Sequence, residues 1–362
     1  MKISFNRLNG SSQEENARVA AAMKRVADSG HYVLGPEVKA FEASFAGYIG
    51  TKDAIGVANG LEALQVALLA LGIGPGDEVI TTPISAVATA LAITAVGAKP
   101  IFVDIDDFYH IDMQKIEDAM TPKTRAVIPV HLYGQPIDMD QLMKLAKDRG
   151  IQVIEDCCQA HGAAFGGKKV GSFGVFGCFS FYPTKNLGGI GDGGIITTSD
   201  PALSEKCRAL RNYGQKNRYE HETRGINSRL DELQAAILSV KLKSLDTNNA
   251  RRAEIAAKYM KSLKNIPGIT LPKIRKNVSH AFHLFVIEAE KRDGLQSLLK
   301  DAGIDTLIHY PIPIHKQKCF AEYNALRLPV AEDKVKHILS LPMHPYLQDA
   351  EIDYICNQIA SF

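Results

Sequence analysis

The sequence predicts an α/β protein: a mostly parallel central sheet flanked by helices, followed by a smaller C-terminal α+β domain. Three observations carry this prediction. From about Ser12 to residue 245, short apolar runs alternate with helix-length amphipathic segments. The apolar runs are of strand length and end in turn-forming residues, as in sheets covered by helices on both faces. After residue 245 the alternation gives way to helices and a few strands. The expected units are therefore a large domain over 1–245 and a small one over 246–362.

The elements follow in order. Ala54–Val57 reads as a strand, Asn59 and Gly60 as a turn, and LEALQVALLALGI as a helix, because its Leu and Val recur at three- and four-residue spacing. GPGDEVITT supplies a turn and a strand. AVATALAITAVGA predicts a helix, and PIFVDID a strand ending in acids. Thr124–Pro129 is a further strand, MDQLMKLAKDRG a helix closed by Gly150, and IQVIED a strand again. Ala250–Leu263 and Arg292–Ala302 are the helices expected in the small domain.

Composition narrows the function. A formal net charge of +2 gives no electrostatic reason to expect a nucleic-acid or membrane-surface partner. The basic cluster Lys273-Ile274-Arg275-Lys276 reads as solvated surface. The six cysteines include no C-x-x-C pair, which argues for reduced thiols in a cytoplasm and against a disulfide framework or a zinc site. The first fifteen residues lack the apolar core of a signal peptide. The longest apolar-rich stretch, Ala86–Val96, is too short to span a bilayer. A cytoplasmic protein with no metal is expected.

In a parallel sheet, ligands bind at the carboxyl ends of strands, and three such ends carry chemistry. VANGLEAL passes from a strand through Gly60 straight into a helix, whose free N–H groups suit a phosphate; a turn without a ligand has the same pattern. VIEDCCQAHG ends a buried strand on Asp156, a carboxylate that needs a cation or strong donor, or that caps the next segment. Gln159 and His161 follow it and either line the same cleft or satisfy nearby backbone. FSFYPTKNLGGIGDGG sets Lys185 between an aromatic-proline stretch and five glycines within residues 188–194. Partial desolvation there favours the neutral amine that attacks a carbonyl; a lysine paired with a carboxylate is the plainer reading.

The stretch Gly189–Gly194 also fits G-x-G-x-x-G, but it precedes a strand (IITTSD) instead of opening a helix, so a dinucleotide site is not expected. A phosphate cradle, an acid and an amine-bearing lysine are together what pyridoxal 5′-phosphate requires: the acid partners the ring nitrogen, and the lysine holds the aldehyde carbon.

Over almost its whole length the chain resembles the DegT/DnrJ/EryC1/StrS family of sugar aminotransferases, which are fold type I pyridoxal-phosphate enzymes. The likeness is carried by GPEVKAFEASFAGYIG, ALGIGPGDEVI, GAKPIFVDID, VIEDCCQAHGAAFGGKKVGSFG, FSFYPTKNLGGIGDGG and GINSRLDELQAAIL. The resemblance implies that Lys185 is the Schiff-base lysine and Asp156 the partner of the pyridinium nitrogen. It places Gln159 against the ring near the 3-hydroxyl, and Ser180 on the phosphate with the N–H groups of Gly60 and Leu61. Asn227 would reach the phosphate of the neighbouring subunit, which implies an obligate homodimer with shared active sites.

Two positions depart from the family pattern. Leu61 stands where the family often has Thr or Ser, leaving backbone donors to serve the phosphate. In TTPISAVAT, Ala86 or Val87 replaces the aromatic residue that usually covers one cofactor face, so another group is expected there.

The presence of Lys185 speaks against the relatives that carry histidine there and remove a hydroxyl. LRNYGQKNRYEHETRGINSRLDE and GIDTLIHYPIPIH look most like the branch acting on nucleotide-linked 3-keto-6-deoxyhexoses. By that likeness Arg218 and His309 are expected at the diphosphate, and Tyr182, His161 and Tyr310 at the sugar; structural polar residues near a domain junction are the alternative. The implied reaction moves an amino group from L-glutamate to a nucleotide-diphospho-ketosugar, with dTDP as the expected nucleotide. A 4-keto sugar aminotransferase and a pyridoxal-phosphate-binding regulator without turnover are the competing readings.

Overall fold

The computed structural model describes residues 2–362. Seven strands form the central sheet: β1 (Asp53–Val57), β2 (Glu78–Thr81), β3 (Lys99–Phe102), β4 (Thr124–Ile128), β5 (Gln152–Asp156), β6 (Phe176–Ser180) and β7 (Gly194–Thr198). Their spatial order is β1-β7-β6-β5-β4-β2-β3. The five strands from β6 to β3 are parallel, and β7 runs antiparallel to both of its neighbours. The reversal follows from the connection: residues 181–193 contain no helix to carry the chain back to the starting edge, so β7 must return antiparallel.

Helices cover both faces. Helix α1 spans Gln13–Ser29, α2 Pro36–Ile49, α3 Gly60–Ala70 and α4 Ala88–Ala95. One core packs α3 and α4 on the sheet through Leu64, Val66, Leu68 and Ile93 against Ile128, Ile154 and Phe176. On the other side, Phe41 and Phe45 of α2 meet Phe179 and Phe181 edge-on at 5.0–5.6 Å. Such contacts combine large buried area with favourable ring geometry.

Helix ends match the expected signals, with some shifted boundaries. Asn59 caps α3 by accepting from Glu62 N at 2.9 Å, and Gly150, left-handed at φ 66°, closes the helix Met139–Arg149. The helix expected over 86–98 is shorter, because Val87 forms its cap and the left-handed Gly97 its exit. The helix expected from Ala250 begins at Leu245 and runs to Ser262. Helices α1 and α2 were not singled out by periodicity, although Ser12 accepts from Glu15 N and Gly30 is left-handed, a regular start and stop.

The C-terminal region has its own antiparallel three-stranded sheet of Ile269–Thr270, Phe285–Ala289 and Ile338–Leu341. Helices 245–262, 292–301 and 349–360 pack a separate core on it, which Ile3 from the N-terminal end completes. Among the described residues, no helix is long and apolar enough to cross a membrane.

Candidate active site

The carboxyl ends of β5 and β6 and the start of α3 enclose a cavity of about 320 Å³. Its walls include Gly60, Leu61, Asp156, Gln159, Ser180, Tyr182 and Lys185, which the sequence had pointed to separately.

Asp156 ends β5 and is 4% exposed. Its Oδ2 accepts from Thr89 Oγ1 at 2.8 Å and its Oδ1 from Cys158 N at 3.1 Å. Among the described residues it forms no ion pair, so a buried carboxylate faces the cavity with neutral donors only. Such a charge calls for a cationic partner. The following residues form turns, so Asp156 does not cap a helix.

Lys185 lies in the loop after β6, which Phe181 N→Gly193 O (2.7 Å), Lys185 N→Tyr182 O (2.8 Å) and Gly189 N→Phe181 O (2.8 Å) hold in place. Its amine has no hydrogen-bond partner among the described residues. Burial holds its proton affinity below that of an ordinary lysine, while Cys158 and Asp156 oppose that shift. The adjacent Asn186 donates to Asn249 Oδ1 and to the Ala281 carbonyl, both at 2.8 Å, and its Oδ1 lies 3.2 Å from His283 Nδ1.

Helix α3 opens on Gly60, so the N–H groups of Gly60 and Leu61 have no partner within the helix. Glycine is required here by contact: a Cβ would lie 2.7 Å from Ser180 Cβ and 2.8 Å from Cys158 Sγ. Gly194, beginning β7, is equally tight, with a Cβ meeting Asn59 O at 2.4 Å. The loop glycine and the turn glycine thus bring two strand ends together around the helix start. Gln159 is fixed at both ends, accepting from Tyr133 N at 2.7 Å and donating to Tyr310 OH at 2.9 Å.

The other expected residues lie outside these walls. Tyr310 stands one hydrogen bond behind Gln159. His309 contacts Ser340 Oγ at 2.9 Å through Nδ1, stacks on Phe5, and is lowered to about 4 by burial and by Lys185. His161 is 1% exposed, between Phe179 and Phe181 at 5.5 and 5.8 Å, and burial holds it near 3. It packs between these rings and is not among the residues lining the cavity, although Lys185 is close enough to depress its proton affinity further. Arg218 projects from the exposed hairpin 215–221 beside Tyr219, and Asn227 is also exposed; within one chain neither reaches the cavity walls. Of the two residues at the aromatic-deficient position, Ala86 lines the cavity, whereas Val87 packs into the neighbouring apolar core.

Sequence reasoning missed Ser85, Thr89, Val130, Cys158 and Asp192 on these walls. The signal for the first two was available: Ser85 and Thr89 are hydroxyls four residues apart in an otherwise apolar stretch, and their oxygens lie 3.0 Å apart. A buried trio elsewhere, His131, Glu155 and Cys157, has metal-like spacing. Glu155 is already satisfied there by His131 and by the N–H groups of Gly171, Phe173 and Gly174 at 2.8–3.1 Å.

An unpaired buried acid, an unpartnered amine and free helix N–H donors fit a group with a basic ring nitrogen, a carbonyl carbon and a phosphate, the features of pyridoxal phosphate.

The comparisons agree. The chain is 47% identical over 350 residues (96% of this chain, 92% of the relative) to a Streptomyces venezuelae protein named dTDP-3-amino-3,4,6-trideoxy-α-D-glucose transaminase. Its fold matches S. venezuelae DesV, solved in complex with a ketimine intermediate, at a TM-score of 0.97 and 46% identity, covering 99% and 98% of the two chains. It also matches NtdA from Bacillus subtilis, solved with bound cofactor PMP, at a TM-score of 0.93 and 33% identity, covering 99% and 84%. Residues 13–360 match the DegT/DnrJ/EryC1/StrS aminotransferase family, and the chain belongs to it as a pyridoxal-phosphate-dependent aminotransferase.

Proposed function

We propose that this chain transfers an amino group from L-glutamate to a dTDP-linked 3-keto-6-deoxyhexose, giving a 3-amino sugar. The observation that carries the reading is the unpaired Asp156 carboxylate, the unpartnered Lys185 amine and the free N–H groups of Gly60 and Leu61 around one cavity. The sugar class is supported by the name of the 47% identical transaminase.

When bound, the cofactor supplies an electron sink for the carbanion at the donor's Cα. In this reading Asp156 keeps the ring nitrogen protonated and Gln159 lies near the 3-hydroxyl. Gly60, Leu61 and Ser180 hold the phosphate. Lys185, with its proton affinity lowered by burial, would hold the aldehyde carbon, and its free Nζ would move the proton off the donor's Cα. In the second half of the cycle the same amine returns a proton to C3 of the sugar. Tyr182 and Tyr310 wall the sugar, and Arg218 and His309 take the diphosphate. His161 is assigned packing behind Phe179 and Phe181.

Asn227 and Arg218, exposed within one chain, are read as serving the site of a second subunit, which makes the working unit a homodimer. The division into 1–245 and 246–362 and a cytoplasmic setting, supported by six free cysteines, belong to the same reading.

The test is the absorbance spectrum of the purified protein with added pyridoxal phosphate, before and after L-glutamate. A visible band that gives way to a near-ultraviolet one is expected, and Lys185→Ala should lack both the band and turnover. A band indifferent to glutamate would overturn the donor or the reaction. Ketosugars with the keto group at C3 or C4 then decide regiochemistry, and binding without any product would favour a regulator.

A further inference from the structure

A second pocket of about 60 Å³ also borders Lys185. Asn6, Arg7 and Glu15 come to it from the N-terminal segment, and Lys241, Asn248 and Arg252 from the helices after residue 231. The space exceeds the ~10–15 Å³ that one water needs, but it is far below the roughly 300–1,000 Å³ of ordinary small-molecule sites. It is sized for an ion or a single small polar group.

Its charges do not balance. Arg252 is 4% exposed, and its Nη1 donates to the carbonyls of Phe282, His283 and Met343 at 3.2, 3.5 and 2.8 Å. Its Nε is buried without any partner. Lys241 donates to the Gly188 carbonyl at 2.8 Å. Neither cation forms an ion pair among the described residues. Arg7 is matched by Glu351 at 3.4 Å, outside the pocket. That leaves Glu15, which accepts from Ser244 Oγ at 2.7 Å and lies near Lys241, as the one carboxylate lining the pocket. Buried cations are costly without a counter-charge, and an unused guanidinium N–H is a directed, charge-assisted donor.

We propose that this pocket binds one small monoanion, a carboxylate group or a halide, with the Arg252 guanidinium, of which only Nη1 is engaged by protein acceptors, as one cation and Lys241 as the second. The occupant is either the carboxylate of the amino donor, reaching past Lys185, or a free ion. Glu15 limits the affinity, because its charge competes for Lys241 and repels a second anion in the same space.

The experiment is thermal unfolding of the pyridoxal-phosphate-loaded enzyme. Acetate or chloride is titrated against gluconate, an anion too bulky for the pocket, at constant ionic strength. A saturable rise in the midpoint with acetate or chloride is expected, since a ligand bound only by the folded state stabilises it. Glu15→Gln should tighten this binding by about tenfold, and Lys241→Met and Arg252→Met should weaken it. Because Arg252 also ties three carbonyls, Glu15→Gln and Lys241→Met keep the test open if Arg252→Met fails to fold. Identical curves in acetate, chloride and gluconate, or no tightening in Glu15→Gln, would overturn the site. The glutamate half-reaction assigns the source: acetate that raises the KM for glutamate identifies the donor's carboxylate, and acetate that binds without changing KM identifies a free ion. The thermal readout needs no turnover, so its failure is separate from any failure of the aminotransferase reading.

Discussion

Thr89 Oγ1 donates a 2.8 Å hydrogen bond to Oδ2 of Asp156, and the Ser85 hydroxyl lies 3.0 Å behind it. The acid at the end of β5 is therefore oriented by helix α4, an element that reaches the site only through this contact and Ala88. Hydrogen bonds to charged groups contribute about 1.5–3 kcal/mol. Thr89→Val, which keeps the shape and loses the donor, should slow the glutamate half-reaction by roughly tenfold or more. Thr89→Ser should retain most of the rate. Single-turnover absorbance changes would measure both, and an unimpaired Thr89→Val would show that Asp156 needs no orienting donor.

Asn186 anchors the loop at Lys185 from the next position in the chain. Its side chain joins Asn249, Ala281 and His283, three groups from the C-terminal part, at 2.8–3.2 Å. Asn186→Leu leaves a buried carbonyl and an amide oxygen without their donor, at a cost of about 1–3 kcal/mol in stability. The denaturant midpoint should fall, and the visible band of the loaded enzyme should weaken as Lys185 loses its fixed position. A variant with a native midpoint and a native spectrum would remove Asn186 from this role.

The strands, the helix-opening turn at Gly60 and the place of Asp156 and Lys185 at strand ends were legible because each depends on local signals: short apolar runs, Asn-Gly before a helix, and a lysine among glycines. The walls that came from side chains meeting across elements were not. Thr89 touches Asp156 across 67 positions, and Gln159 touches Tyr310 across 151, and no periodicity encodes such pairings. His161 is the opposite case. Its place in the DCCQAHG stretch points to the site, yet the chain turns at left-handed Gly162 and folds the ring between two phenylalanines. Arg218 and Asn227 lie exposed on the surface of one chain, away from the cavity walls, so nothing in this fold reads out a role for them.

His161 gives a pH prediction of definite sign. Its folded form is held near 3 by burial, below the ordinary 6.5, so the unfolded chain binds its proton first. The contribution to stability is complete above about pH 6.5 and is lost as pH falls toward 3. His161→Leu, which suits the apolar setting, should fold as well at pH 7 and lose less stability between pH 6.5 and 4. The difference in slope is at most about 1.4 kcal/mol per pH unit, one proton's worth. Denaturant melts across that range would show it, and parallel pH profiles would place the ring's proton elsewhere.

Gly60→Ala tests whether the start of α3 holds the cofactor phosphate. The added methyl would sit 2.7 Å from Ser180 Cβ and 2.8 Å from Cys158 Sγ, so the helix start must move away from β6. Because free N–H donors must point at the anion to bind it, a shift of this size should weaken cofactor affinity by about tenfold, or ~1.4 kcal/mol. Titrating the cofactor-free protein with pyridoxal phosphate would measure this directly. Retained affinity would mean that the N–H groups of Gly60 and Leu61 do not hold the phosphate.

The shared-site reading makes a prediction that no single-chain role for Asn227 allows. Lys185→Ala removes the amine from a chain's own cavity, whereas Asn227→Asp, in that reading, sets a negative charge against the phosphate of the neighbouring subunit. Each variant alone should be inactive or nearly so. When the two are unfolded, mixed in equal amounts and refolded together, half of the dimers are mixed, and each mixed dimer has one site with both lesions and one with neither. Activity should return to about a quarter of the wild-type value, as random pairing of a two-fold dimer requires. If Asn227 acted within its own chain, both sites of a mixed dimer would carry a lesion, and the mixture would stay as inactive as its parents.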